Sequence, residues 1–281
     1  MIVTVLAENT VADGSAGLRP EQGLSLHLAL GHTSILYDAG ASGLFADNAA
    51  RIGIDLAAVG LAAVSHGHYD HGGGLMRFLE LNQRAVVHMH SRAADPHYVK
   101  VLFRKHDASI PPEVFRQHPD KIRFIDGFTE AGRDVFLLTD IGKEYPWAKF
   151  NRTLLMGQAG GAVPDTLQHE IVMVVRETDG LVVFTGCGHT GVLNMVDAVR
   201  TRFPGTPIKA VLGGFHLMGI PGMNVLAEEG ASVRRIGRML LDWGIGRTYT
   251  GHCTGGKAFR TLKDVMGSAV DALSTGSRIE I

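Results

Sequence analysis

The sequence predicts an α/β (α+β) chain in which two β-sheets are stacked between helices. Three observations carry that prediction. Each half of the chain opens on short apolar runs of strand type, and each continues as strand-then-helix alternation. The 281 residues, 45% hydrophobic and 20% charged, also hold enough apolar surface to bury a large core. That length bounds the count at one large domain or two small ones. We read a single domain over 1–281, with an insertion over the active site at about 96–164.

The elements follow in order. Met1–Leu6, Leu24–Leu30 and Ser34–Tyr37 read as strands, the last two joined by the turn Gly31-His32-Thr33. Asn48–Ile52 is helical in pattern. Leu61–Val64 is a buried strand ending at Ser65, Leu75–Asn82 a short helix, and Ala85–His88 a further strand. In the second half, Ile171–Val175 and Leu181–Thr185 form a hairpin about Asp179-Gly180. A helix over Val192–Arg202, a strand over Ile208–Leu212, an amphipathic helix over Ala231–Trp243 and a strand over Arg247–Thr250 complete the pattern. Between them, 96–164 shows no clean period. Pro111-Pro112, Pro119 and Pro146 interrupt it, and Lys100, Arg104, Lys105, Lys121, Arg123 and Lys149 make it basic. A stretch of that length without periodicity is expected to be a lid or wall of a site.

Composition excludes several classes of function. Lys+Arg 27 against Asp+Glu 28 leaves a net charge of -1, so nothing draws the chain to nucleic acid or an anionic membrane. The N-terminal apolar run is short and lacks a basic flank, and no uninterrupted apolar stretch reaches about 18 residues, so a cytoplasmic, soluble protein is expected. Two cysteines, Cys187 and Cys253, make no disulfide framework. Against this plain background stand 36 Gly and 14 His.

The histidines concentrate in Ser65-His66-Gly67-His68-Tyr69-Asp70-His71-Gly72-Gly73-Gly74, a loop between a buried strand and a helix. His66 and His68, two apart in extended chain, point to one side. As the chain turns into the helix, Asp70 and His71 point back to the same space. Neutral imidazole with carboxylate suits zinc, iron or manganese rather than calcium. Four donors exceed what one catalytic metal with an open position needs. Two divalent metal ions, zinc first and iron or manganese as alternatives, are therefore expected. Recognisable Ser-His-Asp, Cys-His and phosphate-loop patterns are absent from the sequence, and its glycines follow no dinucleotide pattern.

The spacing His66-x-His68-x-Asp70-His71 after an apolar strand resembles the signature of the metallo-β-lactamase fold superfamily. Ile35-Leu36-Tyr37-Asp38-Ala39-Gly40 is similar to its first motif. Thr185-Gly186-Cys187-Gly188-His189-Thr190-Gly191, Gly213-Gly214-Phe215-His216-Leu217 and Gly251-His252-Cys253-Thr254-Gly255 resemble the dihydropteroate-synthase-like, or ribofuranosylaminobenzene-phosphate-synthase-like, branch. The resemblance spans roughly Ile35 to Gly255 and implies a four-layer αββα sandwich with a dinuclear metal site at one edge of the sheets. Carried over by position, His66 and His68 hold the first metal, Asp70 and His71 the second, and His252 joins the second. His189 is favoured as the remaining ligand of the first metal, with His169 as a weaker rival for that place and Cys187 as a weaker candidate for the second metal. Asp38 is expected to hydrogen-bond the ligand loop and fix its imidazoles. Asp70 and His216 are the expected catalytic groups.

The expected activity is metal-dependent hydrolysis, a metal-bound hydroxide attacking a small anionic phosphoester or carboxylated ester or lactone. The basic residues of 96–164, with Phe150-Asn151-Arg152, suit the anion. An iron-dependent redox enzyme on the same fold is the alternative, and a metal-bearing small-molecule binding protein a further one. Expected partners are the small anionic substrate and, at most, a second copy of the chain. His27, His32, His97, His106 and His118 are expected at the surface, with His90 bordering the pocket at most. Cys253 is expected as a small buried apolar group. Asp165 and Glu170 are expected to be structural.

Overall fold

A computed structural model describes residues 1–219 and 226–281 of the chain. It resolves into two compact units, one built from 1–126, 153–169 and 274–281, the other from 127–152 and 170–273.

The first unit holds a seven-stranded mixed sheet in the spatial order Arg278–Glu280, Ile2–Ala7, Ser25–Ala29, Ser34–Tyr37, Leu61–Ala63, Val87–His90 and Ile122–Ile125. The first four run antiparallel to their neighbours, and from Ser34–Tyr37 onward the pairing is parallel. The middle strands read as unbroken apolar runs because both faces are covered. Leu36, Ala62 and Val87 pack with Phe45 and Phe78 of the helices Leu44–Arg51 and Leu75–Leu81. A separate antiparallel sheet joins Gly161–Pro164, Leu154–Gln158, His97–Val101 and Arg104–Asp107.

The second unit repeats the mixed design. Its sheet runs Val270–Ala272, Arg247–Thr250, Ile208–Gly213, Gly180–Phe184, Val172–Glu177, Val135–Leu138 and Phe128–Gly132. The four strands from Val270–Ala272 to Gly180–Phe184 are parallel, the others antiparallel. The helix Val192–Arg202 buries Val192, Val196 and Val199 in the core, and Gly230–Asp242 and Gly256–Met266 bury Val233, Leu240, Leu262 and Met266.

The expected strands and helices are found, with shifted ends. The first helix begins at Leu44 rather than Asn48, directly after Gly43. The strand expected at Ala85–His88 lies at Val87–His90. The larger difference is in 96–164, where no period was legible but regular structure forms throughout: three strands join the two large sheets and four make the small one. Its strands are short and mostly edge strands, so few positions carry an apolar alternation, and the prolines fall between them. Among the described residues, no helix is long and apolar enough to cross a membrane.

In each unit the histidine-bearing loops leave the C-terminal ends of parallel strands, where open α/β sheets place their ligands. Leu61–Ala63 leads to Ser65–His71. In the second unit, Gly180–Phe184, Ile208–Gly213 and Arg247–Thr250 lead to Cys187 and His189, to His216, and to His252.

Candidate functional site

In the first unit, Asp38 organises the motif loop. It follows the strand Ser34–Tyr37 with a left-handed backbone (φ 60°), a conformation that disfavours most side chains but tolerates Asp. Its side chain is wholly buried. Oδ1 accepts the Ser65 N–H at 2.7 Å and Oδ2 accepts the Ser65 hydroxyl at 2.8 Å. Oδ2 also lies 2.6 Å from His71 Nδ1.

These contacts fix tautomers. The single hydroxyl proton of Ser65 is directed to Asp38, so the 2.8 Å contact between Ser65 Oγ and His66 Nδ1 is a bond donated by the imidazole. His71 Nδ1–H likewise donates to Asp38. Both rings therefore present the Nε2 lone pair, the donor a metal needs. The His66 ring lies 4.2 Å from that of His71 and 4.6 Å from that of His68. Burial, then the proximity of His169 and His97, holds His68 well below its ordinary pKa, which keeps that ring neutral. Asp70 is half-buried in the short helix Tyr69–Gly72, and its backbone C=O accepts the Leu24 N–H.

A second cluster adjoins this one within the same unit. Donor atoms of His68, His97, Asp165 and His169 all lie within 4.8 Å of one another. His97, expected at the surface, is wholly buried. The expectation failed because nothing local in Pro96-His97-Tyr98 marks the ring; what buries it is the small antiparallel sheet. Its Nδ1 lies 3.0 Å from Asp165 Oδ2 and its Nε2 3.0 Å from the Arg92 carbonyl, so both ring nitrogens face acceptors. His27 is also more buried than expected, at 9% exposure on an inner strand.

His169 is reached by the Gly67 N–H, which donates to Nδ1 at 3.0 Å, while Nε2 stands 3.3 Å from Asp165 Oδ2. A neutral imidazole so placed carries its proton on Nε2, toward the carboxylate. Burial lowers the His169 pKa and keeps the ring neutral, against the opposing charge of Asp165. For Asp165 burial acts upward, but hydrogen bonds from His169 and His97 outweigh it and hold the carboxyl far below its usual range. Nδ1 is thus committed to the motif loop, while Nε2 is a buried atom that completes no hydrogen bond among the described residues. Gly67 is the point of contact: a Cβ there would lie 2.5 Å from His97 Nε2 and 2.9 Å from the Ala93 carbonyl.

In the second unit, donor atoms of Cys187, His189 and His216 lie within 4.8 Å of one another, and so do those of Cys187, His252 and Cys253. Glu170, fully buried, accepts the N–H groups of His189 and Thr190, each at 2.7 Å, and the Thr190 hydroxyl at 2.8 Å. Burial pushes its carboxyl up to about 7 despite those three bonds. Asn151, read in the sequence as part of an anion-binding stretch, instead holds His189. Its Nδ2 donates to the His189 carbonyl at 2.7 Å and its Oδ1 lies 3.3 Å from His189 Nδ1. The His216 ring lies 4.0 Å from that of His189, tilted 55° to it. His216 and His252 both have left-handed backbones (φ 49° each). Cys253 is buried, as expected, and its thiol also donates to the Cys187 carbonyl at 3.3 Å.

Both units thus carry buried clusters of imidazoles oriented by carboxylates and amides, a donor chemistry suited to a divalent transition-type metal. A metallo-beta-lactamase superfamily profile matches residues 18–146. A 7,8-dihydropterin-6-methyl-4-(beta-D-ribofuranosyl)-aminobenzene-5'-phosphate synthase from Methanocaldococcus jannaschii is 25% identical over 246 residues, spanning 83% of this chain and 79% of its own. A solved structure described as a metal-dependent hydrolase of the beta-lactamase superfamily is 28% identical, with a TM-score of 0.81 over 100% of this chain and 99% of that one. The metallo-beta-lactamase fold protein YhfI from Bacillus subtilis shares the fold alone, at 14% identity and a TM-score of 0.56 over 99% of both chains. With the motif at 66–71 seated after a parallel strand and held by Asp38, these likenesses give the chain the metallo-β-lactamase fold and a match to that superfamily's profile over 18–146, together with a likeness to the ribofuranosylaminobenzene-phosphate-synthase branch.

Proposed function

We propose that the protein is a metal-dependent hydrolase of small anionic esters. The observation that carries this reading is the Asp38–Ser65 device, which engages Nδ1 of both His66 and His71 and so makes Nε2 the donor atom each buried ring has for a metal. The cost of burying Asp38 and ordering two imidazoles is met before any ligand arrives, which is how a protein raises metal affinity. His66, His68, Asp70 and His71 are the ligands assigned to the first unit. His189 and His252, with Cys187 as a weaker donor, are assigned in the second unit by resemblance of motif. When bound, two divalent ions supply Lewis acidity and a water activated near neutral pH.

The chain's own groups then have separable parts. Asp38 and Ser65 orient imidazoles, Asn151 and Glu170 hold the His189 loop, and His169 holds Gly67. Asp70 lies beside the motif histidines, placed to orient a water as well as bind. His216, buried beside His189, is placed to pass a proton to a leaving oxygen. The name of the M. jannaschii relative describes a synthase, so hydrolysis is the outcome to be tested rather than carried over.

The test is metal quantitation on purified protein, followed by a screen of phosphomonoesters, phosphodiesters, thioesters and lactones. His68→Ala and Asp70→Ala are expected to keep the fold by circular dichroism and lose metal-dependent turnover. Full turnover in either variant overturns the assignment of the centre. A visible absorption band that cycles with oxidant and reductant would replace hydrolysis with iron redox chemistry.

A further inference from the structure

The antiparallel strands His97–Val101 and Arg104–Asp107 of the first unit form a hairpin whose last pair is Val101 with Arg104, so Leu102-Phe103 is a two-residue turn. The turn holds Leu102 in a left-handed backbone (φ 55°). Gly, Asn or Asp take that conformation readily, whereas a leucine is strained in it. Leu102 and Phe103 are also the most exposed large apolar side chains among the described residues, at 82% and 98%. An apolar pair that the turn disfavours and no core covers does nothing for folding. Its use lies in contact with something outside the chain.

Charge adds a second local conflict at the same place. Lys100 stands directly opposite Lys105 across the hairpin, with Arg104 one position nearer the tip. Like charges so paired weaken a hairpin. All three side chains are exposed. Lys105 Nζ lies 4.0 Å from the centre of the Tyr98 ring, and neither Lys100 nor Arg104 meets a carboxylate among the described residues. The acid of these two strands, Asp107, sits at the base of the hairpin, where Oδ1 accepts the Ser109 N–H at 2.8 Å. The net charge of -1 over the whole chain therefore conceals a cationic collar directly below an apolar tip.

We propose that this hairpin docks the protein on an anionic phospholipid surface. Leu102 and Phe103 enter the boundary between headgroups and acyl chains, while Lys100, Arg104 and Lys105 lie among the lipid phosphates. The two parts of the tip match the two layers of such a surface, hydrocarbon within and anionic charge at its rim. Charge also selects this partner over others. A second copy joined along the free edge Arg104–Asp107 would set Arg104 and Lys105 against a like-charged strand. A nucleic acid would meet the cations but offer no hydrocarbon to Leu102. The inference uses nothing from the hydrolase reading, and each can fail without the other.

Co-sedimentation of the full chain with vesicles tests it, with phosphatidylcholine alone and with a phosphatidylcholine–phosphatidylglycerol mixture. The mixed vesicles are expected to bind at least about tenfold more protein than the neutral ones. That binding should fall about tenfold or more in roughly 1 M salt, where the Debye length is about 3 Å. Leu102→Asn/Phe103→Ser removes the apolar tip but suits the turn, so it is expected to keep the fold and weaken binding about tenfold or more. Lys100→Glu/Arg104→Glu, which replaces the Lys100–Lys105 conflict by an opposite-charge pair, should abolish the preference for anionic lipid. No binding to either vesicle, equal binding to both, or unchanged binding by folded Leu102→Asn/Phe103→Ser overturns the proposal. A lipid-free dimer that the same variant dissolves, seen by sedimentation equilibrium, overturns it too and assigns the tip to a second copy.

Discussion

Asp38 Oδ2 stands 2.6 Å from His71 Nδ1, with neither side chain exposed to solvent. The same carboxylate holds both polar groups of Ser65 and, through its hydroxyl, the ring of His66. One side chain from one strand end thus sets the orientation of two imidazoles. Asp38→Asn keeps shape and tolerates the left-handed backbone, but presents an amide where an acceptor is needed. It is expected to lower metal affinity about 10- to 100-fold with little change in fold. Competition against a chelator of known affinity checks this, and unchanged affinity would remove Asp38 from the metal-holding apparatus.

His169→Ala deletes the acceptor for the Gly67 N–H. The expected loss is about 1–3 kcal/mol of stability from the stranded amide, the same with metal removed as with metal bound. Urea unfolding in both states decides between two roles. A loss seen only in the metal-bound protein would make His169 a ligand.

Gly67→Ala sets a methyl group against the buried His97 ring and the Ala93 carbonyl. The ring cannot move without breaking its contacts with Asp165 and the Arg92 carbonyl, so a destabilisation of about 1–3 kcal/mol or more is expected. The paired variant Gly67→Ala/His97→Ala should recover part of it. No recovery would show that the contact is not what excludes a side chain.

The Asp165 carboxyl lies far below its usual range when folded, while the unfolded chain titrates near 3.9. Folding therefore selects the carboxylate. Its contribution is whole above about pH 5 and is lost as pH falls below about 4 toward the folded value. The stability difference between wild type and Asp165→Asn should be flat from about pH 5 to 8 and shrink in acid. Unfolding curves across that range test the sign; a difference that widens toward acid would contradict it.

What was legible in the sequence was whatever is local. The buried strand before Ser65, the helix after Gly74 and the hairpin about Asp179-Gly180 are each fixed by apolar period and turn residues within a dozen positions. The donors of the 66–71 loop were legible for the same reason: four of them fall within six residues. His97 was missed because its burial depends on strands at Leu154–Gln158 and on Asp165, 68 positions away. The bonds of Asn151 to His189 were not legible because a residue beside Arg152 shows no sign of them until the fold brings position 189 against it, 38 positions on. Ser65 was seen only as the end of a strand. Its role appears once Asp38, 27 positions earlier, is brought under it. The stretch 96–164 was read as irregular because edge strands show water one face and often one rim, so hydrophobic alternation there is weak.

The left-handed backbones at Asp38, His216 and His252 carry a consequence for engineering this scaffold. Each costs about 1–2 kcal/mol relative to glycine at the same position. A screen that rewards heat resistance alone would therefore accept glycine at His216 and His252 and report improved variants. Those variants would have traded away an imidazole, whereas at Asp38 glycine would strand the Ser65 N–H and hydroxyl and gain nothing. Thermal selection on this fold needs a metal-retention step beside it, because at these two histidines the two traits pull in opposite directions.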